Sequence, residues 1–252
     1  MNPGPLSVII PTRERPTLLQ RALESVREQT RPPDEVIVVD DGDSPLDDLT
    51  SADVRCVRQE APHGAARARN LGASVAVGTM LAFLDDDDTW APSYLAEAER
   101  LVHAHRLELV LTAFLKVKQR EDGTREILPE KVPPPTLQPE DFLVRNPGIR
   151  GSNLFISREL FLRSGGFDPS LPSFHDMDLG FRLAGIPGLR YARNEQPRVL
   201  FHAHPGPRLS TAGSSTNVAG LRAFLTKHAE HMGPERVAAF RQRALQLFGV
   251  DP

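Results

Sequence analysis

Short apolar runs and helical spacing alternate through the first half of this chain. Leu6 to Ile10 and Val36 to Val39 are continuous apolar segments, and Leu18, Ala22 and Val26 recur between them at helical spacing. A strand, a helix and a strand within about 35 residues predict a βαβ unit with parallel strands. Further strands are predicted at 53–58 and 80–84, and further helices at 63–77 and 92–105.

The second half is less regular. Predicted strands are 107–117, 124–128, 153–156, 190–192 and 198–202, with a hairpin turn at Glu121-Asp122-Gly123. Predicted helices are 158–163 and 176–184, and two more close the chain after a segment rich in Gly, Ser and Thr at 205–217. The whole pattern predicts an α/β protein with a central sheet and C-terminal helices.

Composition narrows the class of protein. The chain has 252 residues and a net charge of −3, which gives no sign of a nucleic-acid partner. A lone cysteine, Cys56, lies between Val54 and Val57, so we expect a buried strand thiol in a reducing cytoplasm. We find neither a signal peptide nor an apolar run of about 18 residues. A cytoplasmic protein is expected, with peripheral attachment to a membrane left open.

The acidic block Asp85 to Asp88 follows the apolar run 80–84 directly. Adjacent carboxylates about 4 Å apart repel by roughly 4 kcal/mol at an effective dielectric of 20. A divalent cation would offset this repulsion, and oxygen ligands suit Mg²⁺ or Mn²⁺. A solvated acidic turn is the structural alternative.

Polar residues also follow two other predicted strands, at Pro11-Thr12-Arg13 and at Asp40-Asp41-Gly42. Open α/β sheets bind ligands beyond the carboxyl ends of their strands, so these clusters predict a shared site. An Asx turn is the alternative for Asp40-Asp41-Gly42. The glycine-rich dinucleotide and phosphate-loop motifs are both absent from the sequence.

Six ordered motifs identify the chain by resemblance. They are SVIIPTRER from Ser7, EVIVVDDG from Glu35, ARNLG from Ala68, LAFLDDDDTW from Leu81, GGFD from Gly165 and HDMDL from His175. This set, spread over residues 6 to 204, resembles family 2 glycosyltransferases of the GT-A fold, which have a Rossmann-like nucleotide-binding half and a mixed central sheet.

The resemblance implies an inverting transfer of a sugar from a nucleotide diphosphate sugar, with UDP-sugars favoured, to an acceptor hydroxyl. It implies a nucleotide-sugar-binding half at 1–105 and an acceptor-binding, catalytic half of the same domain at 106–204. A flexible loop and C-terminal helices follow at 205–252, and these helices are candidates for docking on the core or for a homodimer.

The resemblance also implies site residues. Asp176 is the expected general base, with Asp178 as a structural alternative. The expected nucleotide contacts are Pro11, Thr12, Arg13, Asp40, Asp41, Arg69, Asp86 and Arg208. The expected ligands of Mn²⁺ or Mg²⁺ are Asp87 foremost, with Asp85, Asp88 and His204. The expected acceptor pocket contains Trp90, Asn153 and His175, and core packing is the alternative for Trp90.

The sequence departs from the family pattern at two positions. His175 stands where relatives carry Glu, and it would either stabilise the ionised base when protonated or alter the acceptor pocket. Arg13 stands where many relatives carry a tyrosine, and its guanidinium can stack on a base.

Three alternatives concern function. A loop containing Arg208 either closes over the donor or serves as a linker. A sugar-1-phosphate nucleotidyltransferase would need a glycine-rich loop near Thr12, which is missing. A non-catalytic nucleotide-sugar-binding scaffold is favoured by His175 and opposed by the presence of Asp87 and Asp176.

Overall fold

A computed structural model describes residues 4–44, 46, 53–60, 63–119, 124–203 and 213–252. Within these ranges the first half of the chain is a run of alternating strands and helices. Its elements are β1 (Leu6–Thr12), α1 (Pro16–Arg27), β2 (Glu35–Asp40), β3 (Arg55–Arg58), α2 (Ala65–Val75), β4 (Met80–Phe83), β5 (Thr89–Trp90) and α3 (Tyr94–His105). Strand β1 pairs in parallel with β2 and β4, and β2 with β3, which confirms the predicted parallel unit.

The second half contributes both antiparallel and parallel strand pairs and the remaining helices. Its elements are β6 (Leu109–Gln119), β7 (Arg125–Lys131), α4 (Asp141–Val144), β8 (Leu154–Ser157), α5 (Arg158–Arg163), α6 (His175–Ala184), β9 (Tyr191–Ala203) and α7 (Ser215–Phe248). Strands β6 and β7 form the predicted antiparallel pair, and the predicted turn at 121–123 lies outside the described residues.

Several predicted boundaries differ from the structure. The two strands expected at 190–192 and 198–202 are one strand, β9, which pairs along most of β6 with a register shift. The two expected C-terminal helices are the arms of α7, which breaks at Gly233 (φ 66°) just before Pro234. Proline removes a backbone donor and clashes with the preceding turn, so the break falls where the sequence requires it.

One mixed sheet joins the two halves in the order β3-β2-β1-β4-β8-β6-β9-β5, with β7 beside β6. Helix α2 covers one face together with α5 and α6, and helices α1 and α3 cover the other. Since both faces are covered, the central strands read as continuous apolar runs. The division into parts at 1–105, 106–204 and 205–252 stays a prediction.

The small residues of α2 let it approach the sheet closely. A Cβ on Gly72 would lie 2.5 Å from Cγ2 of Ile9 and 3.1 Å from Cγ2 of Val39. A Cβ contact of 2.5 Å is too short for a real structure, so a side chain here would force the helix and the sheet apart. With glycine at this position, the acidic turn and the start of α2 are brought together at one end of the sheet.

We expect Gly72→Ala to lower the free energy of unfolding by about 1 to 2 kcal/mol, because overpacking costs more than the gain in helix propensity. Urea unfolding followed by circular dichroism would measure the change. Ser74→Ala, at an exposed position of the same helix, is the matched control. Equal stability of the two variants would show that the sheet yields to the extra methyl group.

The expected buried thiol is wrong. Cys56 is exposed, because β3 is the edge strand of the sheet and most of its residues face solvent. The valines beside it, Val54 and Val57, are partly buried against the core, but the thiol itself faces solvent.

The C-terminal helix docks on the body of the protein. Leu221, Phe224 and Phe240 of α7 form a third apolar cluster with Leu143 of α4 and Met177 of α6. The docking interpretation is confirmed, and a homodimer through these helices stays a prediction. No helix in the described ranges has the length and apolar character needed to cross a bilayer.

Candidate active site

A cavity of about 690 Å³ opens at the carboxyl ends of β1 and β4. The end of β1 contributes residues 11–15 to its wall, and the start of α2 contributes Gly64, Ala65, Ala68 and Arg69. The acidic turn contributes Asp85, Asp86 and Asp87, and the second half contributes Arg150, residues 173–176 and Phe201. Polar clusters that are far apart in sequence therefore meet where open α/β sheets bind ligands.

Each of the first two aspartates of the acidic turn is held by a cation. Asp85 pairs with a guanidinium nitrogen of Arg69, and although burial opposes it, this contact lowers the pKa of Asp85. Asp86 accepts a hydrogen bond from the Thr12 hydroxyl at 2.8 Å and from Arg15 at 3.3 Å. Burial nevertheless raises the pKa of Asp86 to about 6. The hydrogen bond from Thr12 lowers this pKa, and the charge of Asp87 raises it further.

The other two aspartates complete a possible set of metal ligands. Carboxylate oxygens of Asp85, Asp87 and Asp88 lie within 4.8 Å of one another. Asp88 accepts a hydrogen bond from the Ser152 hydroxyl at 2.5 Å, but its Oδ1 is buried without a hydrogen-bond partner among the described residues. Burial and the charges of Asp87 and Asp85 raise the pKa of Asp88 well above its ordinary value. Three oxygen ligands with one orphaned atom fit a hard divalent cation.

Arg69 connects the acidic turn to the other side of the cavity. Its Nη1 lies 3.0 Å from Nε2 of His175, and both side chains are buried. A guanidinium only donates, so Nε2 of His175 accepts and the proton of the neutral ring lies on Nδ1. Burial lowers the pKa of His175. The charge of Asp176 opposes this shift, and the charge of Arg69 adds to it. A neutral His175 disfavours the interpretation in which its protonated ring stabilises the base.

Asp176 lies in the first turn of α6 and lines the cavity. Its Oδ1 is buried and has no hydrogen-bond partner among the described residues. Phe174, the residue at the start of this helix, has a left-handed backbone (φ 66°, ψ 9°), a conformation that bulky residues rarely adopt. The position at the helix N-terminus places this carboxylate at the positive end of the helix dipole. An ionised carboxylate with a free lone pair can accept a proton from a ligand.

Asp178, two residues later, faces away into a network of cations. It is 0% exposed, and it accepts hydrogen bonds from Arg182 at 2.7 Å and from His228 at 3.0 Å, with Lys227 also in contact. Although burial opposes it, hydrogen bonds from His228 and Lys227 and the charge of Arg182 hold the pKa of Asp178 well below its usual range. These contacts support the structural role that the sequence left open for Asp178.

Two predicted nucleotide-binding aspartates have different environments. Asp40 is buried and accepts a hydrogen bond from the Gly42 amide at 2.9 Å, which is an Asx turn, and it does not line the cavity. Asp41 lines the cavity and accepts from the His63 and Gly64 amides at 2.7 and 2.9 Å. It therefore anchors the start of α2. Pro11, Thr12 and Arg13 also line the cavity.

Trp90 and Asn153 do not line the cavity. The Trp90 ring is 2% exposed, stacks on Tyr94 at 4.3 Å and donates its indole hydrogen to the carbonyl of Ser152. The Asn153 amide is fully buried and donates to the carbonyls of Thr112 and Gly148. These hydrogen bonds fix the segment of Ser152 and Asn153, and the Ser152 hydroxyl in turn binds Asp88. Packing roles are therefore favoured for Trp90 and Asn153. An acceptor-binding role for either stays a prediction.

His204, Arg208 and the loop proposed to close over the donor lie outside the described residues. Their expected roles as a metal ligand, a nucleotide contact and a lid stay predictions.

The sequence did not single out Arg15 or Phe201, which also line the cavity, and it covered Arg150 only through the segment 146–153, which the family resemblance assigns to the acceptor pocket. For Arg15 a signal existed, since it belongs to the TRER motif that follows β1. Arg150 directly precedes the 3-10 turn Gly151–Asn153, and its guanidinium lies over the rings of Phe114 and Phe201 at 4.9 and 4.2 Å. Arg150, Phe114 and Phe201 come from distant segments, so no local pattern in the sequence marks their contact.

Comparison with known proteins agrees with this architecture. The model of the family described as "Glycosyl transferase family 2" matches residues 7–163. An uncharacterized glycosyltransferase of Haemophilus influenzae is 28% identical over 236 residues, covering 88% of this chain and 76% of that protein. The uncharacterized glycosyltransferase YwdF of Bacillus subtilis is 28% identical over 189 residues, covering 71% and 68%. The chain belongs to glycosyltransferase family 2.

The fold is confirmed by a solved structure. Residues 1–349 of S. aureus TarS in complex with UDP-GlcNAc superimpose with a TM-score of 0.71 and 18% sequence identity. The match covers 96% of this chain and 73% of TarS 1–349. The predicted GT-A architecture, with a mixed central sheet and C-terminal helices, is therefore correct.

Proposed function

We propose that this chain is a metal-dependent inverting glycosyltransferase that moves a sugar from a nucleotide diphosphate sugar to an acceptor hydroxyl. The observation that carries the proposal is the presence, around one cavity, of a candidate cation site and of an unpartnered carboxylate oxygen on Asp176. The two groups are what a displacement at an anomeric carbon requires: charge stabilisation at the leaving group and a proton acceptor.

The donor would lie across the amino-terminal side of the cavity. Pro11, Thr12 and Arg13 at the end of β1 and Asp41 at the start of α2 would contact the nucleotide, with Arg69 and Asp86 nearby. Asp87, together with Asp85 and Asp88, would hold Mg²⁺ or Mn²⁺, which supplies Lewis acidity to the departing diphosphate. UDP-sugars are favoured because the structurally similar TarS was solved with UDP-GlcNAc.

Asp176 would act as the general base. The acceptor oxygen attacks the anomeric carbon as its proton passes to Oδ1 of Asp176, and the bond from that carbon to the diphosphate oxygen breaks. A single displacement of this kind inverts the configuration at the anomeric carbon. Arg69 positions both sides of the site, because it binds Asp85 with one nitrogen and His175, the neighbour of Asp176, with another.

The test is calorimetric binding of UDP, dTDP, GDP and ADP to the wild-type protein, each with Mn²⁺ and with EDTA. We expect one nucleotide to bind in a metal-dependent way. We expect Asp87→Ala to weaken that binding at least about tenfold, because a lost charge-assisted contact costs roughly 1.5 to 3 kcal/mol.

The matched control is Asp53→Ala, which removes a carboxylate with 57% side-chain exposure away from the cavity and should leave binding unchanged. Equal affinity of the nucleotide in Mn²⁺ and in EDTA would disprove the metal dependence. Binding of none of the four nucleotides would remove the basis for a donor site.

A further inference from the structure

Four arginines line the cavity, and three of them are neutralised by carboxylates of the protein. Arg13 lies 3.5 Å from Asp43, Arg15 lies 3.3 Å from Asp86, and Arg69 pairs with Asp85. Arg150 is different: among the described residues, no carboxylate lies within 4.0 Å of its guanidinium and no hydrogen bond from the guanidinium is made. The carboxylates of Asp85 and Asp88 interact with its charge from a greater distance, but no anion contacts its donors, so the guanidinium can still bind one.

The side chain of Arg150 is nevertheless held in place. Its guanidinium carbon lies 4.2 Å from the ring centre of Phe201 and 4.9 Å from that of Phe114. The backbone amide of Arg150 is also fixed, by a hydrogen bond of 2.8 Å to the side chain of Asn153. Aromatic faces orient a guanidinium without using its hydrogen-bond donors. The donors of Arg150 therefore stay available to a ligand, and little side-chain freedom is lost when that ligand binds.

The positive charge of Arg150 belongs to a larger group on the second half of the chain. Arg145 and Arg243 line a neighbouring cavity of about 130 Å³, and Phe174 lines both cavities. Lys131 donates a hydrogen bond to the carbonyl of Asn146. Partial burial and the charges of Arg150, Arg243 and Arg145 lower the pKa of Lys131, so these four cations share one positive field. None of the four pairs with a carboxylate within the described part of the chain.

The location of this positive field indicates whether it binds the donor or the acceptor. The nucleotide side of the cavity is formed by residues 11–15 and 64–69, and the charges of a diphosphate would be met by a cation at the acidic turn. Arg150 shares the cavity wall with Asp176, although its charge also acts on the acidic turn. Its cationic neighbours Arg145 and Arg243 line the second cavity, to which neither the nucleotide side nor the acidic turn contributes, so the positive field extends away from the diphosphate. An anion at Arg150 therefore fits the acceptor better than the donor.

We infer that the acceptor carries an anionic group, a phosphate or a carboxylate, which Arg150 binds while the acceptor hydroxyl lies at Asp176. This inference rests on the proposed function, since it assigns the substrate class of the same site. Arg150 forms the specificity contact inside the cavity, and Lys131, Arg145 and Arg243 extend it for an acceptor with further negative charges.

The test uses three probes that share one ring and differ at one carbon: glucose, glucuronate and glucose 6-phosphate. Their binding to the protein loaded with UDP and Mn²⁺ is measured by calorimetry or by ligand-observed NMR. We expect wild type to bind at least one charged probe about tenfold or more tightly than glucose, since charge-assisted hydrogen bonds to a guanidinium are strong. The comparison of glucuronate with glucose 6-phosphate separates a carboxylate from a phosphate.

Arg150→Gln should abolish the preference for the charged probe, and Arg150→Lys should keep part of it. Both variants should bind UDP with Mn²⁺ within about twofold of wild type. Arg163→Gln, which removes a half-exposed arginine paired with Glu108, is the matched control and should keep the full preference. Should Arg150→Gln fail to fold, the wild-type probe series and Arg150→Lys still decide the question.

Two results would overturn the inference. One is equal affinity of wild type for all three probes. The other is a tenfold loss of UDP affinity in Arg150→Gln or Arg150→Lys, which would place Arg150 on the donor diphosphate. If wild type did not bind UDP with Mn²⁺ but still preferred a charged probe through Arg150, the proposed donor site would fail while the anion-binding site would stand.

Discussion

Asp176→Asn is expected to lower kcat by about 10² to 10⁴, the usual contribution of a positioned general base, while leaving donor affinity almost unchanged. The substitution keeps the size of the side chain but removes the lone pair that would accept the acceptor proton. Turnover is measured with the nucleotide sugar selected by calorimetry. The structural reason is the unpartnered Oδ1 of Asp176 at the cavity wall, since an amide placed there has no strong proton-accepting atom.

A matched control for this prediction is Glu159→Gln. The Glu159 side chain is 86% exposed on α5 and does not line the cavity, so its loss should leave kcat unchanged. If Asp176→Asn kept kcat within a fewfold of wild type, Asp176 would not be the base. If wild type bound the nucleotide sugar but turned over none, the non-catalytic scaffold would be the better description.

Asp178→Asn is expected to destabilise the fold by about 1.5 to 3 kcal/mol, because it removes the buried carboxylate that accepts charge-assisted hydrogen bonds from its neighbours. Arg182, Lys227 and His228 all contact Asp178, which is 0% exposed. Urea unfolding of wild type and variant would measure the difference. Asp251→Asn, which removes an exposed carboxylate that pairs with Arg241, is the matched control and should change stability little.

The Asp178 prediction has a defined pH dependence. The cations hold the pKa of Asp178 in the folded state well below the value near 4 that is expected for an unfolded chain. The stabilisation is therefore present above about pH 4 and is lost as the pH falls from there towards the folded pKa. The gap in stability between wild type and Asp178→Asn should narrow below about pH 4. A gap that stays constant down to pH 2 would show that the charge of Asp178 is not what stabilises the fold.

Elements with a strong local pattern could be predicted from the sequence. The runs at 6–10 and 36–39 flank an amphipathic helix, and such patterns report burial on a sheet whatever follows later in the chain. Strand β5 could not be predicted, because its two residues form a strand only by pairing with Val199 and Leu200 of β9. The exposure of Cys56 depends on β3 having no neighbour on one side, which is a property of the sheet order and not of the local sequence.

The candidate site divides in the same way. Asp87 and Asp176 lie in motifs that carry the family resemblance, so the resemblance alone was enough to predict them as site residues. Arg150 acquires its environment from Phe114 and Phe201, which lie 36 residues before it and 51 after it. Trp90 and Asn153 sit beside functional motifs but point into the core, and the sequence alone does not reveal side-chain direction.

The contacts between α6 and α7 have a consequence for building hybrid enzymes. The family match ends at residue 163, before Asp176, and Asp178 of α6 is tied to Lys227 and His228 of α7. A Cβ on Gly220 of α7 would meet the Ser173 hydroxyl in the loop before Asp176, so the two segments fit each other closely. Helices α6 and α7 therefore form one structural unit, and the two must be exchanged together. A chimera joined at residue 163 takes both helices from one parent and should keep these contacts, whereas one joined between α6 and α7 should lose them.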